Sequence, residues 1–125
     1  MAEKIKFTLE YEIKSSPKIL FSFLSEPNAL SQWFADNVNY KDHVYTFEWD
    51  GENHDARMVS VKENKLVRFK WLDDDPYYFE MEILQDDLTN DVALSITDFA
   101  TEDALSERKM IWDNQIQYLL SVLGA

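Results

Sequence analysis

Strict alternation opens the chain. From Lys4 to Lys14, Ile5, Phe7, Leu9, Tyr11 and Ile13 fall on one side, while Lys4, Lys6, Thr8, Glu10, Glu12 and Lys14 fall on the other. That period of two predicts a half-buried strand. Ser15-Ser16-Pro17 then sets a capping hydroxyl before a proline at the first helical position. A short helix follows, with Ile19, Leu20, Phe23 and Leu24 turned inward. Ser25-Glu26-Pro27 ends it and starts a second short helix carrying Leu30, Trp33 and Phe34. From Val38 the period returns to two. Tyr45, Phe47 and Trp49 alternate up to Asp50-Gly51, a strong hairpin-turn pair. Asp55 to Lys62 runs back, turns at Glu63-Asn64, and leads to Leu66–Leu72 with Val67, Phe69 and Trp71 on one face. Asp73-Asp74-Asp75-Pro76 reads as a loop, Tyr77, Phe79, Met81 and Ile83 as the next inner face, and Gln85-Asp86-Asp87 as a turn. Val92, Leu94 and Ile96 line the last strand.

The pattern then changes to 3.6. Thr101 to Leu123 reads as one long helix ending at Gly124, with Leu105, Trp112, Ile116, Leu119 and Leu123 in one apolar stripe. Ala104, Ile111, Tyr118 and Val122 form a second stripe one residue over, interrupted by Gln115. A helix of about 20 residues spans about 30 Å, so an apolar face this long needs a sheet to cover it. The expected fold class is α+β: an antiparallel sheet of about six to seven strands around a long C-terminal helix, with two short helices after the first strand.

Composition narrows the function classes. The 125 residues, 46% hydrophobic and including eight Phe, six Tyr and four Trp, predict one domain over residues 1–125 with a substantial core. Twelve basic against 24 acidic residues give a net charge of −12, which disfavours nucleic acid and anionic membrane surfaces. The absence of cysteine excludes disulfides and thiolate metal sites. Met1 to Lys6 lacks an apolar signal core and no run approaches membrane-spanning length, so a cytoplasmic location without membrane insertion is expected.

Two local patterns carry a family resemblance. Ser16-Pro17-Lys18-Ile19-Leu20-Phe21 is followed by Glu26-Pro27-Asn28-Ala29-Leu30-Ser31-Gln32-Trp33-Phe34, in which Pro27, Leu30, Trp33 and Phe34 fill an "xPxxLxxWF" pattern. A Trp49-Asp50-Gly51 hairpin and a C-terminal helix with Trp112, Leu119 and Leu120 complete it. In element order the whole chain resembles the START-like superfamily, also called SRPBCC or helix-grip proteins. That group includes bacterial START-like domains and relatives of a heat-shock-protein ATPase activator. The resemblance implies a curved sheet gripping the long helix, often with a cavity between them for an apolar ligand. Members bind lipids, steroids or polyketides, act as cyclases, or serve as co-chaperones, so the fold does not fix the function.

The candidate cavity lining is drawn from the inward positions. It comprises Phe23, Trp33 and Phe34 from the short helices, and Tyr45, Phe47, Trp49, Met58, Phe69, Trp71, Phe79, Met81 and Ile96 from the strands. Trp112, Gln115, Tyr118 and Leu119 come from the long helix. Plain core packing is the competing reading for each, and Gln115 and Tyr118 are the polar ends that could orient a head group. Parity sends Arg68 to solvent and leaves Arg57 open; Asp98 continues the parity of Val92, Leu94 and Ile96 and is expected to be exposed where its strand ends. His43 and His54, both beside turns, read as isolated surface histidines, and Asp73-Asp74-Asp75 as a solvated loop without calcium-loop spacing. No catalytic, metal or cofactor constellation is recognisable, since the chain has no HExxH pair, triad spacing or phosphate loop. The expectation is non-enzymatic binding of a small hydrophobic or amphipathic, lipid-like ligand by a monomer or weak homodimer. The alternative is a co-chaperone-like module docking a protein with a basic surface, and a cyclase or aromatase ranks third.

Overall fold

A computed structural model describes residues 3–124. Met1 and Ala2, at the start of the segment read as lacking a signal core, lie outside the described residues, as does Ala125. The elements are β1 (Ile5–Glu12), α1 (Pro17–Ser25), α2 (Pro27–Trp33), β2 (Asn37–Lys41), β3 (Val44–Trp49), β4 (Glu52–Lys62), β5 (Leu66–Trp71), β6 (Tyr78–Gln85) and β7 (Val92–Ala100). A 3₁₀ turn (Glu102–Ala104) then leads into α3 (Leu105–Leu123).

The seven strands form one antiparallel sheet in the order β1-β7-β6-β5-β4-β3-β2. Consecutive hairpins build β2 to β7, and β1 returns to pair with β7, Ile5 opposite Ala100 and Glu12 opposite Ala93. Asp50 and Gly51 take the positive φ angles of 50° and 81° that join β3 to β4 with a tight primed turn. Asp42 and His43 do the same between β2 and β3 at 52° and 69°. The fold is a helix-grip arrangement, with the helices on the inner face of the sheet.

Each helix is positioned by local chemistry. Ser16 caps α1 by accepting the Ile19 amide at 3.2 Å, with Pro17 as the first helical residue. Leu20 and Leu24 are fully buried, whereas Ile19 is 53% exposed. This corrects the inward assignment of Ile19: Leu20 and Leu24 take the buried stripe, and only Phe23 of the neighbouring stripe packs partly against the core. Pro27 restarts the chain as α2, whose Leu30 and Trp33 are buried. The Trp33 indole donates to the Phe23 carbonyl and the Tyr45 hydroxyl to the Ser25 carbonyl, each at 2.8 Å, so both helices are pinned to each other and to β3.

On α3 the first apolar stripe faces the core, with Trp112, Ile116 and Leu119 at 1% exposure or less. The second stripe does not stay covered: Ile111 is 37%, Tyr118 64% and Val122 38% exposed. The helix also begins later than the periodicity suggested, because residues 102–104 form the 3₁₀ turn instead. Gly124, in the left-handed region at φ 71°, closes it.

Candidate functional site

The site arises from what β4 presents to the interior. Its inward positions are His54, Ala56 and Met58, between the ring-bearing strands β3 and β5. Ala56 stands between Tyr45 and Trp71 in register, and being small it lets rings from both sides meet across it. Tyr45 and Phe69 centroids are 5.0 Å apart, Phe47 and Phe69 5.7 Å, and Phe47 and Trp71 6.0 Å. One pair further along, opposite Phe47, β4 offers His54 instead of a hydrocarbon, and there the packing opens.

The opening is a cleft of about 700 Å³. Its wall is aromatic: Phe34, Trp49, Trp71, Phe79 and Trp112. Phe34, at the C-terminal cap of α2, holds this wall together, with centroids 5.3 Å from Trp49, 5.1 Å from Phe79 and 5.6 Å from Trp112. Its carbonyl accepts the Trp49 indole and the Gln115 amide, each at 2.8 Å. One backbone oxygen therefore ties α2, β3 and α3 at the base of the cleft. The rest of the boundary is mixed: polar Lys4, Asp50, His54, Asp73, Asp74, Tyr77, Asp98 and Arg108 stand beside apolar Phe99, Ala100, Ala104 and Ile111.

Asp98 is buried, at 3% exposure, the one buried charged residue among the described residues. This corrects the expectation that it lies exposed at a strand end, because β7 continues to Ala100 with its inward parity intact. The carboxylate accepts from Arg108 Nη2 at 2.8 Å, Trp112 Nε1 at 2.8 Å and the Phe99 amide at 2.7 Å. It thereby fixes the first turns of α3 against β7, and its accepting capacity is largely taken up. Arg108 escaped the sequence reading; the signal was its place four residues before Trp112 on the inward side of the helix.

The loop after β5 is organised, not merely solvated. Asp74 pairs with Lys4, whose backbone amide donates to the Tyr77 hydroxyl at 3.2 Å, and Asp75 pairs with Lys70. Asp73 lies 4.0 Å from His54 Nδ1, and Glu52 3.9 Å from His54 Nε2. His54 thus sits on the inner face between Trp49 and Trp71, rather than as an isolated surface histidine. His43 remains on the surface beside Tyr40. On the outer face Arg68 pairs with Glu80 at 2.8 Å and covers the Tyr78 ring, as its parity requires, and Arg57 is exposed.

Of the residues expected to line a cavity, Phe34, Trp49, Trp71, Phe79, Trp112 and Gln115 meet at the cleft. Trp33, Tyr45, Phe47, Phe69, Met81, Ile96 and Leu119 are buried in the core away from it. Phe23 and Met58 are partly buried against that core. Tyr118 faces solvent, because α3 extends its second stripe past the cleft. Among the described residues no His, Asp or Glu group is arranged to hold a metal ion, and no helix is long and apolar enough to cross a membrane.

Comparison with known proteins bears on the fold and the family. A solution structure of a protein from Bacteroides fragilis is 38% identical, covering 98% of this chain and 93% of its own, with a TM-score of 0.68. A protein from Mesorhizobium loti shares the fold at 18% identity and a TM-score of 0.79, covering 96% and 97%. The Aha1 dimer from Colwellia psychrerythraea does so at 17% identity and 0.74, covering 94% and 92%. No curated protein matches. The family model described as a START-like superfamily domain matches residues 1–125, and this chain belongs to that superfamily.

Proposed function

We propose that the protein binds a small hydrophobic or amphipathic, lipid-like ligand in the cleft between sheet and C-terminal helix, without catalysing its conversion. The observation that carries this reading is the cleft itself. Its volume of about 700 Å³ falls within the roughly 300–1,000 Å³ usual for small-ligand sites. Its aromatic wall suits an apolar body, and the polar residues around it can orient a polar end. Asp98 has a structural task in this reading, its oxygens accepting from Arg108, Trp112 and a backbone amide.

Native mass spectrometry of freshly purified protein, repeated after denaturation and solvent extraction, tests it. A discrete mass excess released on unfolding is expected. A clean unliganded mass, with no thermal shift across a panel of lipids and polyketides, overturns it.

One observation favours a second reading, a protein-interaction module. Met110 and Tyr118 on α3 are 61% and 64% exposed, on a chain of net charge −12. A partner with a basic surface would be drawn by the net negative charge, which sets mainly the on-rate, with exposed side chains such as these to pack against. This reading expects partner binding that weakens with added salt, and salt-independent binding counts against it. The structure of like fold from Colwellia psychrerythraea is a dimer, so a weak homodimer belongs to the same reading.

A further inference from the structure

We propose that the ligand of this cleft carries a cationic head, an amine or quaternary ammonium, seated against Trp49, His54 and Trp71 between Asp50 and Asp73. The inference rests on the cleft reading above and adds the charge of the ligand.

Three rings form one corner of the cleft. Their centroids are 6.4 Å apart for Trp49 and Trp71, 5.8 Å for Trp49 and His54, and 6.3 Å for His54 and Trp71. The planes meet at 61°, 48° and 76°, so the rings form a cup and not a stack. Ring faces are electron-rich, and a cation set over them, tryptophan above all, is attracted by the ring quadrupole. Trp71 is the tryptophan whose indole N–H has no hydrogen-bond partner among the described residues, while Trp33, Trp49 and Trp112 are each tied down.

The charge at the rim points the same way. Asp50 directly follows Trp49 and Asp73 comes two residues after Trp71; both line the cleft, and Asp73 lies 4.0 Å from the His54 ring. The two cations that line the cleft are already engaged, Lys4 by Asp74 and Arg108 by Asp98. Asp50 and Asp73 have no lysine or arginine partner among the described residues. An anionic head group would meet two carboxylates faced, among the described residues, only by His54. From the cup, the aromatic wall of Phe79 and Trp112, with Ile111 at the mouth, continues as an apolar track for a tail.

The test compares decyltrimethylammonium, 1-decanol and decanoate, all below micellar concentration and in physiological salt, by calorimetric titration. The cation is expected to bind about tenfold more tightly than the alcohol, with decanoate weakest. Asp50→Asn with Asp73→Asn should remove that preference and leave decanol binding unchanged. Both positions are exposed, and asparagine tolerates the left-handed backbone of Asp50, so the variant should fold. Glu63→Gln with Asp87→Asn removes two charges at distant turns and should leave the preference intact. Equal loss in this control would reduce the effect to net charge and overturn the inference. Equal affinity for decanol and the cation in the unaltered protein would overturn it while leaving the cleft reading standing. Binding of none of the three probes, together with a clean unliganded mass, would remove both.

Discussion

Phe47 and Trp71 lie with ring centroids 6.0 Å apart, both on the inner face of the sheet, and they belong to different regimes. Phe47 has no exposed surface and is ringed by Phe34, Tyr45, Phe69 and Phe79. Trp71 is half-buried, with a free indole N–H and a histidine beside it. The residue types are alike, so hydrophobicity does not separate packing from lining. Strand register does not separate them either, since Phe47 stands opposite His54 and Trp71 opposite Ala56. What separates them is enclosure: four rings surround Phe47, whereas Trp71 borders the cleft.

The largest test of this contrast is truncation on both sides of it. Phe47→Ala should cost about 3–5 kcal/mol in urea unfolding, the usual loss for a fully buried aromatic. Trp71→Ala should cost less than about 2 kcal/mol and should act mainly on ligand affinity. Similar losses at both positions would mean that the cleft wall is core after all.

A smaller effect is expected at Asp98, where the two regimes meet. Asp98→Ala leaves the Trp112 indole without its acceptor and should cost about 2–3 kcal/mol, with Asp98→Asn costing less because an amide oxygen still accepts. An equal cost for both variants would mean that charge, not hydrogen bonding, holds α3 to β7 there.

The smallest effect is a pH dependence on the far side of α3. Burial first, then the hydrogen bond to Asp113 at 2.6 Å and its charge, raise the Tyr11 hydroxyl above its ordinary value. Above about pH 10 the unfolded chain releases that proton while the folded chain keeps it. Stability that is complete below this pH is therefore lost as pH rises. Tyr45, raised by burial and by Tyr40, adds with the same sign. Tyr11→Phe should flatten the alkaline fall in melting temperature, and an unchanged slope would show that Tyr11 does not contribute to it.

The fold was largely legible because its signals are local. Alternation in β1, β3 and β5 to β7, the Ser16-Pro17 cap and the Asp50-Gly51 turn each specify one element regardless of the rest. The site was only half legible because lining is a property of where elements stand apart. Helix spacing placed Phe34, and strand parity Trp49 and Trp71, on the inner face, yet nothing local distinguished them from Phe47 and Phe69. Asp98 was misread because its strand was taken to end there, and His54 because it was read as a turn residue, although polar groups at inward positions are what an opening needs. The second stripe of α3 misled because periodicity reports an apolar face without reporting the length of the sheet beneath it.

The pairing of β1 with β7 also sets an order of events. Strands β2 to β6 can zip up as successive hairpins while the chain is still emerging, each closing a short loop. β1 comes before all of them and has no partner until Val92–Ala100 has been made. Closing so long a loop late is slow. Until it happens, the apolar side of β1 is held in waiting, together with the inner surface that α3 will cover. The nascent chain thus spends its most aggregation-prone interval just before the last strand arrives.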